Sequence, residues 1–317
     1  MNAVRRCLIV DNDETHARAI RAVMEDPMRE VVTVPELAQA PAGEVDLVIG
    51  SYDALGTSGA AALLQRFHAL RARGRVLLFI GSVDRPALAC LFAEHGLSNV
   101  LARSGELDAA DLRVTVDKML RTDVFGIDKY FPADAARRTI VVKKSAEREA
   151  LLGVAREFAL ASGAQGRFAD LLCNACDELL TNALYNAPVD RLGKPRFAHL
   201  SRTNAVELDP GEEVTVTLAA DAREMGISVL DPFGSLKVPT ITQYLAKCLR
   251  RGSDLVDEKE GGAGLGLFYV FEAVSHFVVN LQAGARTEMI GILDLRGRYK
   301  DFVQRPKSFN VFVASTP

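Results

Sequence analysis

Four polar residues fall four apart in the stretch 168–187, FADLLCNACDELLTNALYNA: Asn174, Glu178, Asn182 and Asn186. On a helix this spacing makes one polar stripe. Leu171, Leu172, Ala175, Leu179, Ala183 and Leu184 recur at helical spacing on another face, where they would meet a core. Asparagine is a poor helix former, so three of them in a row of turns point to a use beyond helix stability; a plain exposed polar face is the alternative. Magnesium supplies such a use. It takes hard oxygen ligands in octahedral geometry and keeps waters while bridging phosphates. The neutral amide of Asn182 can ligate the ion without repelling a triphosphate, with Asn186 one turn further along. Glu178, one turn earlier, can hold a metal-bound water or accept a proton from an attacking group.

Two further segments have chemistry of the same kind. A strand-like run, 226–230, ends in Asp231-Pro-Phe-Gly234. A carboxylate fixed at a strand end can accept a hydrogen bond from the amino group of adenine, although the same four residues also suit a type I turn. Gly261-Gly-Ala-Gly-Leu-Gly266 then opens a helical run, 267–274. Glycines let backbone N–H groups approach phosphate, and a helix N-terminus favours negative charge; a plain loop would read similarly. Between these segments lie Lys237, Lys247, Arg250, Arg251 and Lys259. They suit either a lid over phosphates or a solvated helix face balanced by Asp254, Asp257 and Glu258.

Other chemistries find little support. The five cysteines are an odd, scattered set, and Cys173 and Cys176 lack the second pair that a zinc site needs. They read as two small apolar residues one turn apart. The five histidines show no metal spacing. A net charge of −3 over 317 residues gives no whole-chain field for nucleic acid. No apolar run is long enough to span a bilayer. The N-terminus leads straight into CLIVD without a signal-peptide core, so a cytoplasmic location is expected.

The elements that must carry these residues fall into two sets. Residues 7–120 alternate five apolar runs (7–10, 31–34, 45–49, 75–80 and 99–101) with helical stretches (14–24, 60–72, 86–95 and 109–120). That alternation implies a parallel sheet covered on both faces, with its crevice at the C-terminal strand ends. Asp13 sits where a helix N-cap is expected. Residues 122–138 show no sustained periodicity and read as a linker with some ordered contacts. A strand, 139–142, and a helix, 146–161, precede the asparagine-rich helix.

LIVDNDE, DLVIGSYDALGTSG and GLSNVLARSG resemble a two-component response-regulator receiver across about residues 5–121. The departures fall on the chemistry. Asn12 replaces one of the paired carboxylates, Ser51 stands at the phosphoacceptor position, Gly81 or Ser82 at the hydroxyl position and Arg103 at the lysine position. A serine cannot form the acyl phosphate that a carboxylate forms, so this half reads as a pseudo-receiver; Asp53 falls in the turn beyond, where solvation is expected. DELLTNA, then DPFG, then GGAGLGL resemble the ATPase family of gyrase, the heat-shock chaperone, histidine kinases and MutL across about residues 139–315. The strand and helix ahead of them are similar to anti-sigma factor serine kinases. That resemblance implies Glu178 as base, Asn182 as magnesium ligand, Asp231 as adenine contact, Gly262, Gly264 and Gly266 as phosphate loop, and Thr287 as a nucleotide-holding hydroxyl. Gly234 is shifted from the family's D-x-G-x-G pattern, with Phe233 and Ser235 at its glycine positions.

The expected protein is therefore α/β: a (βα)5 flavodoxin-like receiver domain (1–121), a linker (122–138) and an α/β-sandwich Bergerat-type ATP-binding domain (139–317). The expected function is that of a bacterial signalling regulator that binds Mg-ATP and acts on a protein partner, either as a serine kinase or ATPase or as a non-catalytic nucleotide-dependent module. A kinase-type module serving a separate phosphotransfer protein is a further alternative, weakened by the lack of a histidine-bearing hairpin. The pseudo-receiver would dock the partner through a region including Leu88, Leu91, Phe92, Leu97, Val100 and Leu101, several of which must be core, leaving a small exposed share. A homodimer remains open, and 188–212 is an insertion that could cover the pocket or a partner surface.

Overall fold

The structure, a computed structural model, describes residues 4–41, 43–69, 75–81, 85–103, 105–121, 123–251 and 265–314. It is α/β. The first half runs β1 (Arg5–Val10), α1 (Glu14–Met24), β2 (Arg29–Val34), β3 (Leu47–Ser51), α2 (Tyr52–Ala69), β4 (Arg75–Ile80), α3 (Arg85–Glu94), β5 (Asn99–Ala102) and α4 (Ala109–Leu120). The second runs β6 (Ala136–Val142), α5 (Arg148–Ala161), α6 (Gly166–Thr181), a π-helical turn (Asn182–Asn186), β7 (Val214–Ala220), β8 (Glu224–Asp231), α7 (Val238–Arg251), α8 (Leu265–Ala273), β9 (His276–Gln282), β10 (Arg286–Asp294), α9 (Tyr299–Gln304) and β11 (Ser308–Val313).

All eleven strands form one sheet, ordered β2-β1-β3-β4-β5-β11-β9-β10-β8-β7-β6. The first five are parallel, in a doubly wound order whose crevice lies at the C-terminal strand ends. The rest pair antiparallel, except that β9 and β11 run parallel. The two halves are joined where the last strand meets β5, with Phe309 opposite Val100 and Asn310 opposite Asn99. Asn310 donates a 2.8 Å hydrogen bond to His276 Nε2 there, and Ser308 Oγ accepts from the Ala102 N–H at 2.9 Å.

Period-2 alternation sends successive strand residues to opposite faces. On one face Leu8, Val10, Leu78, Val216 and Ile227 meet α2, α3, α5, α6, α7 and α8 in one continuous core. On the other, Cys7, Ile9, Leu77, Ile290 and Phe312 meet α1, α4 and the segment after α4. That segment, read from sequence as a linker, buries Val124, Ile127 and Phe131. Its Gly126 N–H donates to the buried Glu288 carboxylate at 2.8 Å. A short apolar run without periodicity carries no helix or strand signal, yet here it covers a sheet face.

Two sequence expectations change. Helical turns begin at Tyr52, earlier than the expected start near residue 60, and Gly56 (φ 63°) breaks them. The six apolar residues expected to offer a docking face are all buried. Packing of α3 on α7 and pairing of β5 with β11 cover that side with the chain's own second half. No helix among the described residues is long and apolar enough to cross a membrane.

Candidate functional site

Helix α6 buries Leu172, Ala175, Leu179 and Leu180, which press it onto the sheet beside β8 and β10. Its polar stripe therefore runs inward from solvent: Asn174 is exposed, Glu178 half-buried and Asn182 buried. At Asn182 the helix widens into the π-helical turn, a distortion often found at functional sites. The Asn182 side chain donates to the Glu178 carbonyl at 2.9 Å, and its Oδ1 accepts from Asn186 Nδ2 at 2.7 Å. Glu178 Oε2 is buried and has no hydrogen-bond partner among the described residues. It lies against Gly266 in the first turn of α8, where any Cβ would overlap that oxygen. Glycine at 266 thus lets the helix start sit directly on the carboxylate.

The second cluster stands at the end of β8. Asp231 and Thr287 are cross-strand neighbours, on the face that Ile227 and Val229 share with the helices. Burial pushes the Asp231 carboxyl up to about 6, against the pull of the Phe233 and Gly234 N–H groups. The Thr287 hydroxyl, buried beside the carboxylate, adds to that pull. Gly234 takes φ 57°, and a Cβ there would overlap Gln282 O and lie 2.6 Å from Ala285 N. The turn between β9 and β10 therefore demands this glycine on packing grounds alone. Phe233, at a position where the resemblance expects glycine, is buried in the helix-side core. Ser235 Oγ donates to the Ala187 carbonyl at 2.8 Å, fastening this segment to the end of the π-helical turn.

The structure thus brings Glu178, Asn182, Asn186 and Gly266 into one group and Asp231, Gly234 and Thr287 into another, joined through Ser235 and Ala187. Gly262 and Gly264 lie outside the described residues, as does Ser82 of the first half. Sequence reasoning missed Arg202. The inserted segment is anchored by Tyr185, whose hydroxyl donates to the carbonyls of Arg202 and Asn204. From there Arg202 reaches Glu178 Oε1 at 3.3 Å. No local pattern marks that contact.

The strand-end crevice of the first half is filled from within. Asp11 forms a buried pair with His16, which packs edge-on against Phe79. Asp13 caps α1 through the Thr15 and His16 N–H groups and also binds Arg103 at 3.0 Å. Ser51 is buried. Asp53 is exposed, and its carboxylate turns back against Gly81. The sequence did hold a sign of His16: with Ile20 and Met24 it forms an i, i+4, i+8 series on the buried face of α1. None of the five cysteines forms a disulfide among the described residues.

The chain matches no protein-family model and no curated protein.

Proposed function

We propose that the second half binds a magnesium–adenine nucleotide in the manner of the gyrase, heat-shock chaperone and histidine-kinase ATPases, and that the chain is a signalling regulator acting on a protein partner. On this reading the first half is a receiver-like domain that cannot be phosphorylated. The observation that carries the reading is one buried carboxylate oxygen, Glu178 Oε2, with no hydrogen-bond partner among the described residues. Such an atom is costly unless a ligand satisfies it, and the side of the sheet that α6 covers also holds a desolvated carboxylate, Asp231.

The donor set fits the group. Asn182 Oδ1 and Glu178 supply hard oxygen atoms for magnesium or its waters. Asp231, ionised, would accept from the adenine amino group, and Thr287 would donate to or accept from the nucleotide beside it. Magnesium, when bound, would neutralise the phosphates. Asn186 holds the Asn182 amide in orientation, and α8 excludes water from one side of Glu178.

A non-catalytic, nucleotide-dependent binding module is favoured by one contact. Arg202 occupies the carboxylate that a phosphotransfer enzyme would use as base, so the insertion restrains Glu178 in this state. A serine kinase or ATPase requires Arg202 to leave.

The test uses the full chain. Calorimetry with Mg-ATP and Mg-ADP is expected to give one saturable site, weakened by Asn182→Asp, which adds a charge beside the metal. Glu178→Ala is expected to weaken binding less than Asn182→Asp does and, in single-turnover assays with copurified partners, to abolish any transfer. Absence of binding at millimolar nucleotide by a folded chain would overturn the proposal.

A further inference from the structure

Lys307 enters β11 at the junction of the two halves, and its side chain is more than nine-tenths buried. Its ammonium has no hydrogen-bond partner among the described residues and rests 4.0 Å from the centre of the Phe302 ring. A buried, unpaired cation is among the costliest features a fold can keep, and a methionine of similar length would cost far less. Beside it lies a cavity of about 300 Å³, walled by Ile80, Leu88, Leu249 and Phe271 and headed by Arg85 and Lys307. Its walls come from both halves: β4 and α3 on one side, α7 and α8 on the other.

The neighbouring charges are already committed. Arg305 binds Asp294 at 3.0 Å and the Arg296 carbonyl at 3.1 Å. Arg85 gives one nitrogen to Glu272 at 2.9 Å. Among the described residues Lys307 is the cation without a salt bridge at this cavity, whose lining also includes Gln304 and the paired Glu272 and Arg305.

We propose that this junction cavity binds a small organic monoanion with an apolar body, a short-chain or aryl carboxylate or its phosphate or sulfonate equivalent, whose charged head pairs with Lys307 and Arg85. The volume is at the lower end of small-molecule sites, and such sites combine apolar walls with a few placed polar groups. Because the walls belong to both halves, the ligand would bind across their junction and stabilise it. This site is separate from the nucleotide cluster and does not depend on that reading.

The protonation of Lys307 supplies an independent handle. Burial pushes its ammonium down to about 8, with Glu272 opposing the shift and Arg305 and Arg85 adding to it. Carboxylates and guanidinium groups ordinarily titrate outside the range between pH 7 and 10. Across that range the anion therefore loses one of its two partners as Lys307 becomes neutral, while Arg85 stays charged.

The experiment is calorimetric titration of the full chain with octanoate and, separately, with inorganic phosphate. One saturable octanoate site is expected, about tenfold weaker in Lys307→Met, weakened to a smaller extent in Arg85→Gln, and weakening in the unaltered chain as pH rises from 7 to 9.5. Phosphate, lacking an apolar body, is expected to bind more weakly than octanoate. Thermal melts report whether each variant folds. If Lys307→Met does not fold, the pH series and Arg85→Gln decide. Absence of saturable octanoate binding would overturn the assignment. So would affinity unchanged by both Lys307→Met and pH, or phosphate binding as tightly as octanoate.

Discussion

At the strand ends of the first half, Asp11 is closed onto His16 and Asp13 onto Arg103. In the second half, Glu178 Oε2 is buried with no hydrogen-bond partner among the described residues, and Asp231 is held in a desolvated corner beside Thr287. Both clusters occupy the ends of strands in the same sheet, and both are rich in oxygen. They differ in what meets the oxygens. In the first, side chains of the protein bond both carboxylates. In the second, part of the bonding capacity of the buried oxygens is left over. In the first cluster the atom left without a partner among the described residues is an imidazole nitrogen, His16 Nε2; in the second it is a carboxylate oxygen, which is costlier to leave bare.

The largest expected effect tests the first side of this comparison. His16→Ala removes the side-chain hydrogen-bond partner of the buried Asp11, and leaving a buried charged group short of a partner costs about 3 kcal/mol. Chemical denaturation should show a loss of that order. A loss below about 1 kcal/mol would mean that water already serves Asp11 and that the crevice is open.

Asp231→Asn tests the second side. The folded carboxyl is raised from 3.8 to about 6, so between those values the folded chain keeps a proton that the unfolded chain has released. This group therefore favours folding at low pH, and its contribution is lost as the pH rises through the window. Asparagine removes the cost of ionisation, so the variant should be about 1–3 kcal/mol more stable at pH 7 while binding adenine nucleotide more weakly. Denaturant melts at pH 4 and pH 7, set against calorimetry, read both. A variant less stable at pH 7 would show that the carboxylate is satisfied as it stands.

Arg202→Ala sharpens the comparison within the second site. The guanidinium is well exposed, and such ion pairs contribute about 0–1 kcal/mol, so melting should barely move. Release of Glu178 should instead raise Mg-ATP turnover, followed by phosphate release. Turnover unchanged from the parent would favour the non-catalytic reading.

The smallest effect expected is none. Beryllium fluoride with magnesium should leave the amide spectrum of residues 5–121 unshifted, because Ser51 offers no carboxylate and Asp11 is occupied. Shifts centred on Asp53 would show that its carboxylate, turned toward Gly81, accepts the ligand.

Sequence alone determined what local periodicity and local chemistry can encode. The alternation of apolar runs and helical stretches from 7 to 120, the apolar face and polar stripe of α6, the cap at Asp13 and the strand ending at Asp231 all rest on neighbours within a few residues. Tertiary structure decided whatever depends on residues far apart in the chain. Pairing of Asn310 with Asn99 turns two candidate domains into one sheet and buries the face expected to dock a partner. Arg202 meets Glu178 only because Tyr185 anchors the insertion, and Gly234 is glycine because a distant turn presses on it. Lys307 carries no local sign that its ammonium will be buried. A lysine is placed by the packing of α3, α8, α9 and β11, and no repeat of period 2 or 3.6 records where those elements meet.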